Sequence, residues 1–250
     1  MSLLRVRDLS VRIGGLQILD GVALEVPEGK IIGLIGPNGA GKTTVFNVIT
    51  GFVKPSTGTI EWRDRPMSPT PHELAGLGIA RTLQGVGLFD SLTALDNLLV
   101  GAHIQQHTGT IRSLLAAPSV WRKEAELRER AISVLRELDV DPHRLAGSLP
   151  YPIRKRVGLA RALMSDPKLV MLDEPAGGIS QSDIDALSAL IKQWQPTRSV
   201  LVVEHHMDFV MSTCEYIYVL DAGRLIAEGT PAAIQQNQAV RAAYLGQVDA

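Results

Sequence analysis

The chain has 250 residues, 45% of them hydrophobic and 20% charged, with 25 basic and 26 acidic side chains and a formal net charge of −1. That is enough for a sizeable α/β core with or without a smaller inserted part, and the near-neutral balance argues against nucleic acid as a partner. The one cysteine, Cys214, excludes an internal disulfide and a cysteine-based zinc site. It reads as a small buried hydrophobe.

Leu9, Val11 and Ile13 alternate with Ser10 and Arg12 until Gly14-Gly15, and Val22, Leu24 and Val26 alternate with Ala23 and Glu25 until Pro27-Glu28-Gly29. These are the marks of two antiparallel strands, each with one wet face. Ile31–Ile35 is continuously apolar, as a strand buried on both faces must be. A helix is expected from Thr43 to Ile49, closed near Gly51, and a short strand over Thr59–Trp62 after a Pro55–Gly58 turn.

From residue 85 to 165 the strand signal fades. Leu127, Ala131, Val134, Leu135 and Leu138 recur at helical spacing, so this stretch reads as a helical insertion. Strands return at Leu169–Leu172 and Val200–Val203, with a helix between them over Ser182–Trp194. A hairpin is expected across Asp221-Ala222-Gly223, then one last helix over Pro231–Leu245. No secretory hydrophobic segment opens the chain, and no apolar run approaches the ~18 residues of a spanning helix. Work at a membrane would therefore need docking onto another chain.

Between the buried strand and its helix, Gly36, Pro37, Asn38, Gly39, Ala40, Gly41, Lys42 and Thr43 fill the pattern G-x-x-x-x-G-K-[ST], and Thr44 follows. The glycines let the backbone wrap a phosphate with its N–H groups inward, and the helix start adds its positive end. Lys42 should reach the β- and γ-phosphates and the Thr43 hydroxyl Mg²⁺. The pattern implies nucleotide binding without separating transporters from GTPases, kinases or helicases.

Leu169–Leu172 runs into Asp173-Glu174-Pro175. Asp173 is placed to hold Mg²⁺ through a water, and Glu174 to orient the attacking water and accept its proton.

With these two motifs the chain resembles the ABC ATPase family. Thr82-Leu83-Gln84 sits where that family has its Q-loop and Val202-Val203-Glu204-His205 where it has its H-loop. The resemblance implies an α/β P-loop NTPase core, a mostly parallel sheet flanked by helices, over 1–84 and 166–250. It also implies an antiparallel β part near 3–30 and 58–63, and a helical subdomain over 85–165. Gln84 would join Thr43 and Asp173 on Mg²⁺, and Gln84 and His205 would act with Glu174 on the γ-phosphate of ATP. The adjacent His205 and His206 are not read as a metal pair, because neighbours on a strand point to opposite faces.

Softer signals (Gly78–Thr82, Leu88-Phe89, Val100–His103, Ala243–Gly246) are similar to the ATPases of branched-chain amino-acid importers. That implies a second ATPase subunit, permease subunits and an extracytoplasmic solute-binding protein as partners, at the cytoplasmic face of the membrane. Alternatives are a regulatory subunit with weak hydrolysis, a lipid-exporting ABC ATPase and a soluble ABC ATPase.

Three places depart from the family pattern. The signature slot reads Leu149, Pro150, Tyr151, Pro152 and Ile153, so two prolines remove N–H donors expected to face ATP on a partner subunit. Arg154, Lys155 and Arg156 read as a solvated face. Ile13 stands where an aromatic would stack on adenine, and Gly178-Ile179-Ser180 lacks the usual acidic or amide end of the D-loop.

Overall fold

The computed structural model describes residues 2–82, 87–105 and 118–245. They fall into two compact units, residues 1–81 with 168–250, and residues 82–167.

The first unit carries two sheets. One is antiparallel, formed by β1 (Ser2–Ile13), β2 (Leu16–Pro27), β4 (Thr57–Trp62) and β5 (Arg65–Met67) in the order β2-β1-β4-β5. Its alternation changes phase twice. Leu4 and Val6 are buried at even positions, then Leu9 and Val11 at odd ones. One extra β1 residue, near Asp8 at φ 48°, makes up the difference. On β2 the extra residue lies near Gly21 (φ 65°), between Leu19 and Val22. Each bulge returns its strand's apolar side chains to the core. The Gly21 bulge also breaks the period-two pattern upstream of Val22, which is why the sequence shows only the second half of β2.

Leu9 and Val11 are buried as expected, but Ile13 is 54% exposed. Beyond Ser10 strand β1 has no β4 partner, so the hairpin tip at Gly14-Gly15 stands outside the sheet.

The second sheet has six strands. Parallel strands are β3 (Ile31–Ile35), β6 (Ile79–Arg81), β7 (Leu169–Asp173), β8 (Ser199–Glu204) and β9 (Tyr216–Asp221), with β10 (Arg224–Gly229) antiparallel at one edge. The order is β10-β9-β3-β8-β7-β6. Every residue of β3, β7 and β8 is buried, the apolar runs Ile31–Ile35, Leu169–Leu172 and Val200–Val203 as expected and Asp173, Ser199 and Glu204 at the strand ends with them. Register aligns their carboxyl ends: Ile35 pairs with Glu204, and Asp173 with Val203. Loops leaving these ends meet where ligands bind in open α/β sheets.

The helices of this unit are α1 (Lys42–Ile49), α2 (Leu74–Leu77), α6 (Gln181–Lys192), α7 (Met207–Thr213), α8 (Pro231–Gln236) and α9 (Gln238–Leu245). Between α2 and α6 in chain order come three helices of the second unit, given below. The single last helix expected from the sequence is two. Asn237 leaves helical geometry at ψ 122°, and its side chain accepts from the N–H groups of Ala239 and Val240, capping a new helix. Strand β6 and helix α7 carry no usable periodicity because each is under two turns or repeats long. Cys214 is buried, and burial pushes its thiol up to about 12.

The second unit contains α3 (Ala94–Gln105), α4 (Pro118–Glu137) and α5 (Tyr151–Leu163). Ala131, Val134, Leu135 and Leu138 are buried with Leu95, Leu98, Val157 and Leu163. Thr93 caps α3 by accepting from the Asp96 N–H. Buried Asn97 accepts from the Phe89 N–H and donates to the carbonyls of Phe89 and Thr93, so the approach to this helix is tied down.

Candidate nucleotide site

The loop after β3 is shaped by two close approaches. A Cβ at Gly36 (φ 154°) would lie 2.0 Å from the Leu220 carbonyl oxygen, and one at Gly41 (φ 103°) 2.6 Å from Leu19. Only glycine fits either position. Gly41 begins α1 with no side-chain cap, so the helix N-terminal amides offer donors and the positive dipole end to an anion.

Lys42 is the first residue of α1 and only 6% exposed. Its Nζ donates to the Gly36 and Pro37 carbonyls at 2.7 and 2.8 Å. Burial holds its pKa below the usual lysine value, while the charges of Glu174, Asp173 and Glu204 pull the other way. A buried ammonium, uncapped helix amides and three acidic groups in its field suit a triphosphate carried with a divalent cation. Thr43 is exposed and Thr44 half-buried at the same helix start.

Asp173 closes β7 with its side chain 1% exposed, and its Oδ2 accepts from Arg81 Nη2 at 2.9 Å. Arg81 also donates to Asn47 Oδ1 at 2.7 Å and Thr50 Oγ1 at 3.1 Å, and its guanidinium lies 5.5 Å from the Phe46 ring centroid. One side chain at the end of β6 thus joins the acidic strand end to the phosphate-loop helix.

Glu174 follows with φ 48°, the left-handed region that costs a non-glycine residue on the order of 1 kcal/mol. Its N–H donates to the Val203 carbonyl at 2.9 Å, and its Oε1 lies 3.7 Å from His205 Nδ1. The structure therefore brings together Lys42, Asp173, Glu174 and His205.

Gln84 lies outside the described residues. Ile13 is at the exposed hairpin tip. Ser180, the end of the D-loop slot, caps α6 by accepting from the Asp183 N–H.

His205 and His206 are not strand neighbours facing opposite ways. Strand β8 ends at Glu204, so the two histidines lie beyond it and no longer alternate. Their ring centroids are 4.2 Å apart, and both Nδ1 atoms approach Glu204 Oε2, at 3.5 and 3.0 Å. Glu204 and Arg81 are the residues that sequence reasoning passes over. The available signal is a charge inside a buried strand.

In the second unit the signature slot opens α5. Pro150 is the N-cap at ψ 148°, Pro152 stands in the first turn, and the first helical bond is Arg154 N–H to the Pro150 carbonyl. No side chain caps this helix, and Lys155 lies over the Tyr151 ring at 5.5 Å. Leu149 is buried and Tyr151 is 45% exposed.

The mostly parallel sheet, the glycine loop and the buried lysine among carboxylates define a P-loop nucleotide-binding protein. Residues 19–177 match the ABC transporter family, and residues 224–250 match the branched-chain amino acid ATP-binding cassette transporter family. The chain belongs to the ABC transporter family of ATPases.

Among its relatives are the high-affinity branched-chain amino acid transport ATP-binding proteins LivG of Salmonella typhimurium and BraF of Pseudomonas aeruginosa. Each is 41% identical, over 98% of this chain and 98% of the relative. The lipopolysaccharide export system ATP-binding protein LptB of Escherichia coli is 33% identical over 99% and 98%. A crystal structure of an ATP-binding cassette of an ABC transporter in its ADP conformation superposes with TM-score 0.88. It is 32% identical, with 98% of this chain and 99% of that one covered. Among the described residues, no helix is long and apolar enough to cross a membrane.

Proposed function

We propose that the protein is the ATP-hydrolysing subunit of a transporter importing a small polar solute, above all branched-chain amino acids. One observation carries this reading: the likeness to branched-chain amino acid transport ATP-binding proteins runs along 98% of the chain. The C-terminal match at 224–250 adds to it.

In this reading the amides of loop 36–44 and Lys42 hold the phosphates of ATP. Thr43, Asp173 and Gln84 hold Mg²⁺, and Ile13 offers adenine an apolar contact in place of stacking. Bound with ATP, Mg²⁺ supplies charge neutralisation to the transferring phosphoryl group. Glu174 orients the attacking water and accepts its proton, and His205 steadies the γ-phosphate. The chain pairs with a second ATPase subunit and docks on permeases at the cytoplasmic face, to which an extracytoplasmic binding protein delivers solute.

Titration of the purified chain with a fluorescent ATP analogue in Mg²⁺ tests the nucleotide part. Lys42→Ala removes charge-assisted bonds of roughly 1.5–3 kcal/mol, so affinity is expected to fall on the order of 10- to 100-fold. Equal affinity in both proteins refutes the assigned site. For the solute, leucine uptake should depend on this gene. Normal uptake without it, together with impaired lipid export, would favour the exporter alternative.

Weak hydrolysis at one of the two composite sites of a heterodimer is a second reading, supported by Pro150 and Pro152 at the start of α5. ATP on this chain's own loop would meet the partner's signature and turn over. ATP on the partner's loop would meet Pro150–Ile153. Pro152→Gly with Ile153→Gln restores an N–H and a polar side chain, and one transition-state donor is worth roughly 10²-fold in rate. Turnover at that site in the assembled transporter should rise at least tenfold. An unchanged rate discards the idea.

A further inference from the structure

Glu204 is 0% exposed, a carboxylate at the end of β8. Its two oxygens face different stretches of chain. Oε1 accepts from the Ala176 N–H at 2.7 Å. Oε2 accepts from the N–H groups of His205 at 2.7 Å and His206 at 3.0 Å, and lies 3.0 Å from His206 Nδ1. A carboxylate only accepts, so His206 Nδ1 carries the hydrogen.

Ala176 stands two residues after Glu174, and His205 adjoins Glu204 itself. One buried group thus ties the backbone that bears Glu174 to the backbone that bears His205, and these two side chains meet at 3.7 Å. The Glu174 N–H to Val203 carbonyl bond makes a second tie between the same segments. Bare burial does not explain this carboxylate, because an apolar residue of similar volume costs less to bury. The backbone N–H groups of Ala176, His205 and His206 lie past the strand ends and need an acceptor. Only a side chain with two accepting oxygens serves both stretches at once.

We propose that Glu204 is a positioning residue for ATP hydrolysis. It fixes the spacing and orientation of Glu174 and His205 without touching the nucleotide. The proposal rests on the ATPase reading above.

Glu204→Gln tests it. An amide presents one oxygen and one NH₂, and the NH₂ is least unfavourable facing the single N–H of Ala176 rather than the donors on the histidine side. The tie to the Glu174 segment is then lost. In the assembled transporter kcat for MgATP is expected to fall about 10- to 30-fold, with KM within twofold. In a Glu174→Gln background the same change should cost less than twofold, because the group it positions is already disabled. Glu204→Asp keeps the charge but is too short to span both stretches, and should show the same kcat-against-KM split.

Unchanged kcat, a matching rise in KM, or a full 10-fold loss on top of Glu174→Gln would overturn the proposal. So would failure of both variants to fold, which would make Glu204 a core residue only. An assembled wild-type transporter unable to turn over MgATP would defeat the ATPase reading, and this role with it.

Discussion

Replacing Glu174 by glutamine is expected to lower kcat for ATP by about 10³-fold and to leave nucleotide affinity within twofold. The amide is isosteric, so it keeps the backbone at φ 48° and the N–H bond to Val203 that aim the side chain. It can orient a water molecule but cannot take its proton, and a positioned base contributes roughly 10²–10⁴-fold. Lys42 and the loop amides are untouched, so the phosphates stay held. Single-turnover hydrolysis alongside fluorescent-nucleotide titration measures the two quantities separately. A loss under tenfold would assign proton removal elsewhere. A parallel loss of affinity would mean that the site had been distorted.

Arg81→Ala should produce the largest stability effect. The Arg81–Asp173 pair has side-chain exposures of only 11% and 1%, and breaking a buried pair by removing one partner costs about 3–5 kcal/mol. For a chain of this length that corresponds to a melting point roughly 6–20 °C lower. The arginine also loses its bonds to Asn47 and Thr50 and its seat over Phe46, so the penalty reaches the phosphate-loop helix. Arg81→Lys keeps a positive charge but lacks the planar fork that reaches three acceptors, and should recover less than half of the loss. Thermal melting of the three proteins decides. An alanine variant within 2 °C of wild type would show that the pair contributes nothing net.

Much of this site was legible because its determinants are local. The buried run Ile31–Ile35, the eight residues from Gly36 to Thr43 and the acidic end of Leu169–Asp173 each announce themselves within a dozen residues. The parts that were missed depend on remote partners. Arg81 finds Asp173 across 92 residues of chain, and Glu204 finds Ala176 across 28. No periodicity reports such pairings. The two histidines escape strand alternation for a related reason: the strand stops at Glu204, one residue before them. In the antiparallel sheet the Gly21 bulge shifts the phase of the apolar positions, so a pattern search sees a short strand where a 12-residue one exists. Asn237 divides the last helix because its side chain outcompetes the next helical turn.

Cys214 has a practical bearing on experiments. It is the sole sulfhydryl of the chain, shielded by Gly33 and its neighbours and reluctant to ionise at neutral pH. Maleimide dyes and spin labels, which react with the thiolate, should pass it by. A cysteine introduced on the surface can then be tagged selectively in the otherwise natural protein, which opens the nucleotide cycle to fluorescence and resonance probes without a cysteine-free background.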